Sequence, residues 1–329
     1  MKALVYTAPN QLTYQDAADP MTGAGDALIK IDSVGICGSD MHAFLGHDDR
    51  RPAPLILGHE AAGITTDGQR VTVNPLVSCG TCRYCKSGRD NICQSRQIIS
   101  MPPREGAFAE WLSMPKSNLV TVPDDVPLNK AALAEPIACG WHAIRMGRGY
   151  LTAHLGDQIK AAKTLIIGGG TIGVGAALSA AAQGFEDITL VEPNALRLAY
   201  LSDKLPFSLV QSDELAMTAD YDLVIDAVGY EATRALATAQ TAPGGIVMHI
   251  GLGSAEGGID VRRMTLQEIA FIGTYTYTAQ DFKDTAEAIF TGKLGALDWI
   301  EERPLQDGHQ AFIDIQSHQV AAPKIILKP

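Results

Sequence analysis

The chain has 329 residues, of which 46% are apolar and 19% charged, a composition typical of a folded protein with room for two domains. Its net charge is −11 and no Lys/Arg-rich run occurs, which argues against a nucleic-acid partner. No apolar run is long enough to span a bilayer, and the N-terminus lacks a signal-peptide pattern. We therefore expect a cytoplasmic protein without a membrane partner.

Short strand-like runs fill the chain up to about residue 140. Gly, Pro and Asp separate them, a pattern typical of a β-rich, partly open barrel. The runs after the N-terminal one cover residues 27–33, 60–64, 70–73 and 108–113. This zone therefore predicts a mainly β domain.

Strands and helices alternate in the second zone. The predicted strands cover 163–167, 188–191, 223–228 and 246–250, and the predicted helices cover 172–183, 195–205 and 232–239. Apolar strands separated by helices predict a parallel sheet covered on both faces. A third zone, from about residue 274, contains a predicted helix over 282–290 and a predicted strand over 323–327, and it is too small to be a domain alone.

A glycine-rich segment connects the strand at 163–167 to the next helix. Gly168, Gly170 and Gly173 fit G-x-G-x-x-G, in which the glycines permit a tight turn, the approach of a pyrophosphate and close helix–strand packing. Glu192 would accept hydrogen bonds from ribose hydroxyls and repel a 2′-phosphate. The pattern predicts NAD rather than NADP, the alternative being a glycine-rich turn of an unrelated α/β fold. We assign five further residues to this cofactor site: Thr171, Ile172, Arg197, Val228 and Gly251.

Four of the six cysteines lie within fifteen residues, at positions 79, 82, 85 and 93. In a reducing compartment such crowding indicates metal binding rather than disulfides. Four thiolates, those of Cys79, Cys82, Cys85 and Cys93, suit a structural zinc and leave no coordination position for a substrate. An iron–sulfur cluster also uses four cysteines and is the alternative.

A second set of possible ligands begins with Cys37 and His59. A catalytic zinc needs about three protein ligands of mixed type and one open position. Cys37, in Cys-Gly-Ser-Asp, and His59, in Gly-His-Glu, meet this need if a carboxylate lies nearby. The alternative is a buried thiol and a core histidine with no metal.

The order of these motifs resembles that of the zinc-containing medium-chain dehydrogenases. The two ligand segments, the four-cysteine loop, Ala134-Glu135-Pro136 and the nucleotide motif follow one another over essentially the whole chain, and the closest resemblance is to the sorbitol (polyol) dehydrogenase-like branch. The resemblance implies an α/β protein with a GroES-like β-rich catalytic domain and a Rossmann domain, a doubly wound parallel sheet. We expect the catalytic domain at 1–141 with a structural-zinc lobe at 77–95, the NAD-binding domain at 142–273, and a return to the catalytic domain at 274–329.

The resemblance also assigns roles to residues. Cys37 and His59 match ligands of the catalytic zinc, and Glu60 and Glu135 both match positions where the polyol branch carries carboxylates at that metal. Because adjacent side chains on a strand point to opposite faces, Glu60 reaches the ion beside His59 only if the backbone bends. We expect Glu135 at the zinc with Glu60 next to it, and the choice stays open. Asp40 matches an acid that orients His59.

The implied activity is hydride transfer between a secondary alcohol, of polyol or sugar type, and NAD, with two zinc ions per chain. Zinc lowers the pKa of an alcohol. Ser39 would accept the proton and pass it through the nicotinamide ribose to His42. We expect a small-molecule alcohol as substrate and a homodimer or homotetramer. Four side chains are interpreted as structural or surface groups: Cys139, His47, His142 and His249.

Three departures from the polyol pattern leave the substrate open. Tyr275-Thr276-Tyr277 stands where polyol enzymes have Phe-Arg-Tyr, whose arginine helps to hold substrate hydroxyls. The stretch 63–70 is short, and Gln69 replaces the usual Asp. Phe44, Tyr275 and Tyr277 are expected to line the substrate pocket.

Three other functions are alternatives to a polyol dehydrogenase. A zinc-free reductase that uses NADPH would lack both ligand sets, so the sequence argues against it. A catalytically inactive NAD-binding member and a non-polyol alcohol or aldehyde dehydrogenase of the same fold are the other two.

Overall fold

The computed structural model describes residues 1–329, except for the side chain of Asp157. The chain divides into two compact units. The first contains Met1–Glu135, Thr278–Gly292 and Trp299–Pro329, and the second contains Pro136–Tyr277 and Lys293–Asp298. Among the described helices, none combines the length and the hydropathy needed to cross a bilayer.

The described elements comprise eighteen strands and ten α-helices. The N-terminal part contains β1 (Lys2–Ala8), β2 (Gln11–Asp16), β3 (Asp26–Gly35), α1 (Gly38–Phe44), β4 (Leu55–Ile56), β5 (Glu60–Thr65), β6 (Arg70–Val73), β7 (Leu76–Val77), α2 (Arg83–Lys86), β8 (Gln97–Ile98), β9 (Trp111–Pro115), β10 (Leu119–Thr121) and α3 (Leu128–Ala131). The middle part contains α4 (Ala134–Leu155), β11 (Lys163–Ile167), α5 (Thr171–Ala182), β12 (Asp187–Val191), α6 (Ala195–Ser202), β13 (Ser208–Val210), β14 (Tyr221–Asp226), α7 (Glu231–Gln240), β15 (Thr241–His249), α8 (Val261–Leu266) and β16 (Ala270–Gly273). The C-terminal part contains α9 (Ala279–Phe290), β17 (Ile300–Pro304), α10 (Gly308–Gln316) and β18 (Lys324–Lys328).

Strand β3 organises the first unit. It lies in a seven-stranded sheet of order β10-β6-β5-β3-β18-β17, with β9 paired to β3 as well. Both β5 and β18 run antiparallel to β3, and Gly35 at the carboxyl end of β3 is opposite Glu60 of β5 and Ile326 of β18. The end of β3 therefore lies beside the beginnings of β5 and β18, which brings residues from three distant parts of the chain together.

The second unit contains a six-stranded parallel sheet of order β13-β12-β11-β14-β15-β16. Leu165, Val224 and Val247, on three adjacent strands, lie in its buried core. Strand order reverses between β11 and β14, the place where doubly wound sheets bind their ligands. The predicted fold class, a β-rich domain with a doubly wound parallel sheet, is confirmed.

The sequence prediction missed the longest helix, α4, which has 22 residues. Pro136, Gly140 and two further glycines lower the helix propensity of this segment. Pro136 lies in the first turn, however, where its missing N–H breaks no helical hydrogen bond. Gly140 is required by packing, since a Cβ there would lie 2.6 Å from the backbone nitrogen of Ala176 in α5.

Several predicted element ends were also wrong. The strand predicted over 223–228 ends at Asp226 because the Asp226 carboxylate accepts the N–H groups of Val228 and Gly229 and so forms a turn. The strand predicted over 108–113 begins only at Trp111, and the helix predicted over 195–205 ends at Ser202.

Candidate functional site

Three metal-binding side chains meet at the end of β3. The Cys37 sulfur, a ring nitrogen of His59 and a carboxylate oxygen of Glu60 all lie within 4.8 Å of one another. Cys37 lies two residues past the end of β3, His59 immediately precedes β5, and Glu60 is the first residue of β5. Just before them Gly58 has φ +89°, and a Cβ there would lie 2.5 Å from the Phe108 ring. This glycine turn supplies the backbone bend that lets adjacent side chains reach the same place.

Asp40 holds the two ligand segments together. Its carboxylate is fully buried and accepts the N–H of Cys37 at 3.0 Å and the N–H of Gly58 at 3.2 Å. Its Oδ1 also lies 3.5 Å from Nδ1 of His59. Burial alone would raise the pKa of Asp40, but the neighbouring His59 and the Cys37 N–H lower it below its usual value. An ionised Asp40 therefore orients His59, as the sequence suggested.

Two hydroxyl groups face the His59 ring as well. Ser39 Oγ lies 3.5 Å from Nε2, and Ser100 Oγ lies 3.4 Å from Nδ1. The sequence gave no signal for Ser100, which is fully buried and has φ +65°. The buried guanidinium of Arg51 donates to the Ser100 carbonyl at 3.0 Å and thereby holds this loop against His59.

A buried lysine contacts the third member of the cluster. Lys324 Nζ lies 2.7 Å from Oε1 and 2.6 Å from Oε2 of Glu60, although Oε2 accepts no hydrogen bond of good geometry among the described residues. Sequence reasoning overlooked Lys324. The available signal was a charged residue inside the apolar run 323–327, which had been predicted to be a strand.

Glu135 lies in the first turn of α4, and its side chain is buried. In the part of the chain that the structure describes, the group of three donors does not include it. Its carboxylate interacts electrostatically with Lys324. The geometry therefore favours Glu60 as the third donor, and the expectation of Glu135 at the metal stays a prediction.

The four clustered cysteines also converge. Their sulfurs all lie within 4.8 Å of one another, with Cys82–Cys85 at 3.5 Å and Cys79–Cys85 at 3.9 Å. A tetrahedron with Zn–S bonds of about 2.3 Å has edges of roughly 3.8 Å, so the cage fits one zinc ion. Backbone and hydroxyl groups of Thr81 lower the pKa of Cys79 to about 5, which favours the thiolate that binds a metal.

The glycine-rich segment lies at the carboxyl end of β11. Gly168 has φ +102°, and a Cβ there would lie 2.5 Å from Val228. A Cβ on Gly173 would lie 1.7 Å from the Gly168 carbonyl oxygen, so helix α5 packs directly on the turn. Gly170 caps α5 with open space around it, and Thr171 and Ile172 form the first turn of that helix. The helix N-terminus is thus accessible to an anion.

Glu192 follows β12 directly and contacts this turn. Its Oε2 accepts the Gly169 N–H at 2.8 Å, and its Oε1 accepts the Asn194 N–H at 2.8 Å. Arg197 Nη1 is 4.0 Å from the same carboxylate. Gly251 belongs to the neighbouring turn, where a Cβ would lie 2.1 Å from the carbonyl carbon of Val228. The structure therefore brings the predicted nucleotide residues together at adjoining strand ends.

Two residues predicted to line a substrate pocket are core residues instead. Phe44 is 1% exposed, and its ring packs 5.2 Å from that of Phe312. Tyr277 is likewise 1% exposed. Tyr275 is half-buried, as are Ser39 and His42, which lie one turn apart on α1. Aromatic residues beside a motif are more often core than pocket, which the sequence prediction undervalued.

The histidines and the cysteine outside the motifs have structural environments. His142 is buried with Nδ1 3.1 Å from Arg145, and His249 Nδ1 lies 3.2 Å from the Asp226 carboxylate. Cys139 is half-buried on α4, and His47 is exposed. None of the four belongs to the metal-donor groups found among the described residues.

Comparisons with known proteins agree with this geometry. Residues 23–124 match the family model for the alcohol dehydrogenase GroES-like domain, and residues 171–291 match that for zinc-binding dehydrogenase. The chain is 32% identical to L-galactonate-5-dehydrogenase of Escherichia coli (strain K12), over 90% of this chain and 89% of that protein. It is 30% identical to L-idonate 5-dehydrogenase of Vitis vinifera, over 78% of this chain and 75% of that protein.

The chain belongs to the zinc-containing medium-chain dehydrogenases, in their polyol dehydrogenase-like branch. Its fold also matches the crystal structure of galactitol-1-phosphate dehydrogenase from Escherichia coli, with a TM-score of 0.87, 24% identity and 100% coverage of both chains. Membership in this family makes the chain an oxidoreductase that acts on small-molecule alcohols, and zinc and NAD are the cofactors typical of the family, as predicted.

Proposed function

We propose that the chain oxidises a secondary alcohol of the polyol or sugar-acid class with NAD, at a zinc ion held by Cys37, His59 and Glu60. The observation that carries the proposal is the convergence of these three donors, within 4.8 Å, at the end of β3. A thiolate, an imidazole and a carboxylate form the mixed set that zinc binds while keeping a position open. Zinc bound there supplies the Lewis acidity that lowers the pKa of an alcohol.

The protein residues around the donors supply proton transfer. Ser39 Oγ lies beside the His59 ring at 3.5 Å, so the hydroxyl group is next to the place where a substrate hydroxyl would lie. Ser39 would accept that proton while it releases its own hydroxyl proton, and the half-exposed imidazole of His42, one turn further along α1, would be the base that takes up a proton and delivers it to solvent. Asp40 and Ser100 hold His59 from its other side.

The substrate class rests on the relatives. The two curated relatives act on L-galactonate and L-idonate, as their names state.

A substrate screen tests the activity. We expect NAD reduction with sugar acids or polyols and weak reduction with ethanol, measured at 340 nm. Lack of turnover with every secondary alcohol by a zinc-loaded protein would favour the inactive NAD-binding alternative.

Zinc content tests the choice between the carboxylates. Glu60→Gln should lower the zinc affinity of the catalytic site, and Glu135→Gln should leave it closer to that of the wild type. The reverse order would restore the preference for Glu135 that the sequence suggested.

We further propose NAD over NADP as the cofactor. The Glu192 carboxylate sits against the glycine turn and carries a negative charge that repels a 2′-phosphate. The ratio of kcat/KM for the two cofactors measures the preference, and Glu192→Ser should shift it toward NADP. Equal values in the wild type would contradict this role. Gly168, Gly170, Thr171, Ile172, Gly173, Arg197, Val228 and Gly251 are proposed to complete the site.

Three organisational proposals accompany the activity. Residues 1–141 and 274–329 would form the catalytic domain, with the second zinc in the lobe at 77–95, and residues 142–273 would bind NAD. A homodimer or homotetramer is supported by β16, one of the two edge strands of its sheet, and by the exposed apolar side chains of Leu252, Val261 and Leu266 in the same unit. No disulfide joins the six cysteines in the described chain, which supports a cytoplasmic location. Light scattering and cell fractionation test the assembly and the location.

A further inference from the structure

Lys324 is a buried cation next to the proposed metal donors. It begins β18, and its side chain is 2% exposed. The ammonium group donates to the Ile36 carbonyl at 2.6 Å and contacts both oxygens of Glu60 at 2.6–2.7 Å. A buried ammonium is unfavourable unless it is paired, so these contacts define where its charge is held.

Three groups that can carry a negative charge lie near the Lys324 ammonium. Cys37, Glu60 and Glu135 each carry one negative charge when ionised, and all three interact electrostatically with Lys324. Against these three negative charges, a bound zinc ion would supply two positive charges and Lys324 supplies the third. The charges of the groups that interact with Lys324 are then balanced with both carboxylates ionised, although these carboxylates are buried.

Gly35 makes this arrangement possible. A Cβ at position 35 would lie 1.9 Å from Glu60 Oε2. The Glu60 carboxylate therefore occupies the space beside Gly35 at the end of β3, where Lys324 contacts both of its oxygens. The Glu60 carboxylate consequently contacts the Lys324 ammonium and also lies within reach of the proposed zinc position.

We propose that Lys324 is a positioning residue that acts through Glu60 to weaken the carboxylate–zinc bond and preserve the Lewis acidity of the metal. The inference rests on the proposed function, in which Glu60 is the third zinc donor. Lys324 competes with the metal for the Glu60 carboxylate and withdraws electron density from this ligand. Its removal should make zinc bind more tightly and make it a poorer Lewis acid.

Zinc competition with a chromophoric chelator tests the inference on the holoenzyme. Replacing Lys324 by Met removes the charge and keeps the length. We expect the zinc at Cys37, His59 and Glu60 to bind Lys324→Met at least about tenfold more tightly than the wild type, because the Glu60 carboxylate no longer shares its negative charge with an ammonium group. The kcat–pH profile should shift to higher pH, since a less acidic metal lowers the substrate pKa less. Cobalt substituted at this site should show an altered visible spectrum.

Three further variants separate charge from structure. Lys328→Met, on the same strand, removes a lysine that pairs with Asp32 at 2.6 Å, and it should leave the zinc affinity unchanged. Lys324→Arg keeps the charge and should bind zinc like the wild type. In a Glu60→Gln background, Lys324→Met should have little effect, because the lysine acts through Glu60.

Whether Lys324→Met binds zinc more tightly or less tightly than the wild type decides between the proposed role and a structural one. A purely structural lysine predicts weaker zinc binding in Lys324→Met, so equal or weaker affinity in the folded variant would overturn the inference. Lys324→Gln, which keeps a donor for the Ile36 carbonyl, serves if the methionine variant does not fold. Failure of the wild type to bind zinc at Cys37 would instead contradict the proposed function.

Discussion

The two metal-donor groups of the first unit are built in opposite ways. The four cysteines of the lobe lie within fifteen residues of sequence, around a four-residue helix with no buried residue. Cys37, His59 and Glu60 come instead from the ends of long sheet strands, and buried Asp40, Ser100 and Lys324 surround them. The lobe has little core of its own, whereas the mixed-donor site belongs to the sheet.

This difference predicts different consequences of metal binding. A lobe without a core depends on its ion for its fold, as small zinc modules do. A site held by a sheet and by buried ion pairs keeps its shape without the ion and uses the ion for chemistry. The lobe zinc should therefore control stability, and the zinc at Cys37 should control turnover.

The largest expected effect is the loss of turnover on replacing Cys37. Cys37→Ser removes the only thiolate of the mixed-donor site, and we expect kcat to fall by about 10³-fold or more because the Lewis acid is lost or misplaced. The melting temperature should change little, since the strands around it are intact. Steady-state kinetics and calorimetry measure the two effects.

The matched control is Cys85→Ser in the lobe. We expect it to lower the melting temperature by several degrees and to leave kcat within about threefold of the wild type while the protein is folded. Losses of kcat of similar size in Cys37→Ser and Cys85→Ser would contradict the assignment of a catalytic role to the mixed-donor site and a structural role to the lobe.

Chelation should separate the two zinc ions in time. The mixed-donor site needs an open position for substrate, and the lobe surrounds its ion with four sulfurs, so a chelator should remove the catalytic zinc first. Activity should disappear while circular dichroism remains unchanged, and a second equivalent should be released only with loss of structure. Metal analysis that returns one zinc per chain, or an iron–sulfur chromophore, would contradict the two-zinc proposal.

Gly35 offers a way to disturb Glu60 without altering any donor. In Gly35→Ala the added Cβ would lie 1.9 Å from Glu60 Oε2, so the carboxylate must move away from the end of β3 and from its place as a zinc donor. We expect a loss of about 1–3 kcal/mol in the free energy of unfolding and weaker zinc binding. Gly149→Ala is the control, because a Cβ there meets no atom within 4 Å. Equal behaviour of the two variants would show that the position of Glu60 is not constrained.

The sequence revealed the parts of these sites that are local. The cysteine spacing and the glycine turn are complete within short segments, so their chemistry was predictable without a structure. The α/β alternation likewise predicted the parallel sheet. Lys324, Ser100 and Arg51 could not be predicted because they reach the site through strand pairing and loop packing. Helix α4 was missed because its proline and glycines are explained by tertiary position rather than by propensity.

The smallest expected effect concerns Asp48, which supports the mixed-donor site from a distance. Its carboxylate pairs with Arg50 at 2.8 Å and with the buried Arg51, and Arg51 holds the Ser100 carbonyl at 3.0 Å. Burial alone would raise the pKa of Asp48, but hydrogen bonds from Arg50 and the charge of Arg51 lower it to about 2. Asp48→Asn removes this charge, and we expect a loss of about 1–2 kcal/mol in the free energy of unfolding at neutral pH.

The pH dependence of the stability difference between the wild type and Asp48→Asn provides the control. Because the pKa is lower in the folded state, the ionised Asp48 stabilises the protein above the unfolded value of about 3.9. This stabilisation declines as the pH falls from about 4 toward the folded pKa of about 2. The difference in melting temperature between wild type and Asp48→Asn should thus be constant from pH 7 to 5 and shrink below pH 4. A difference that persists unchanged at pH 3 would mean that packing, and not the charge of Asp48, holds Arg51 against the Ser100 loop.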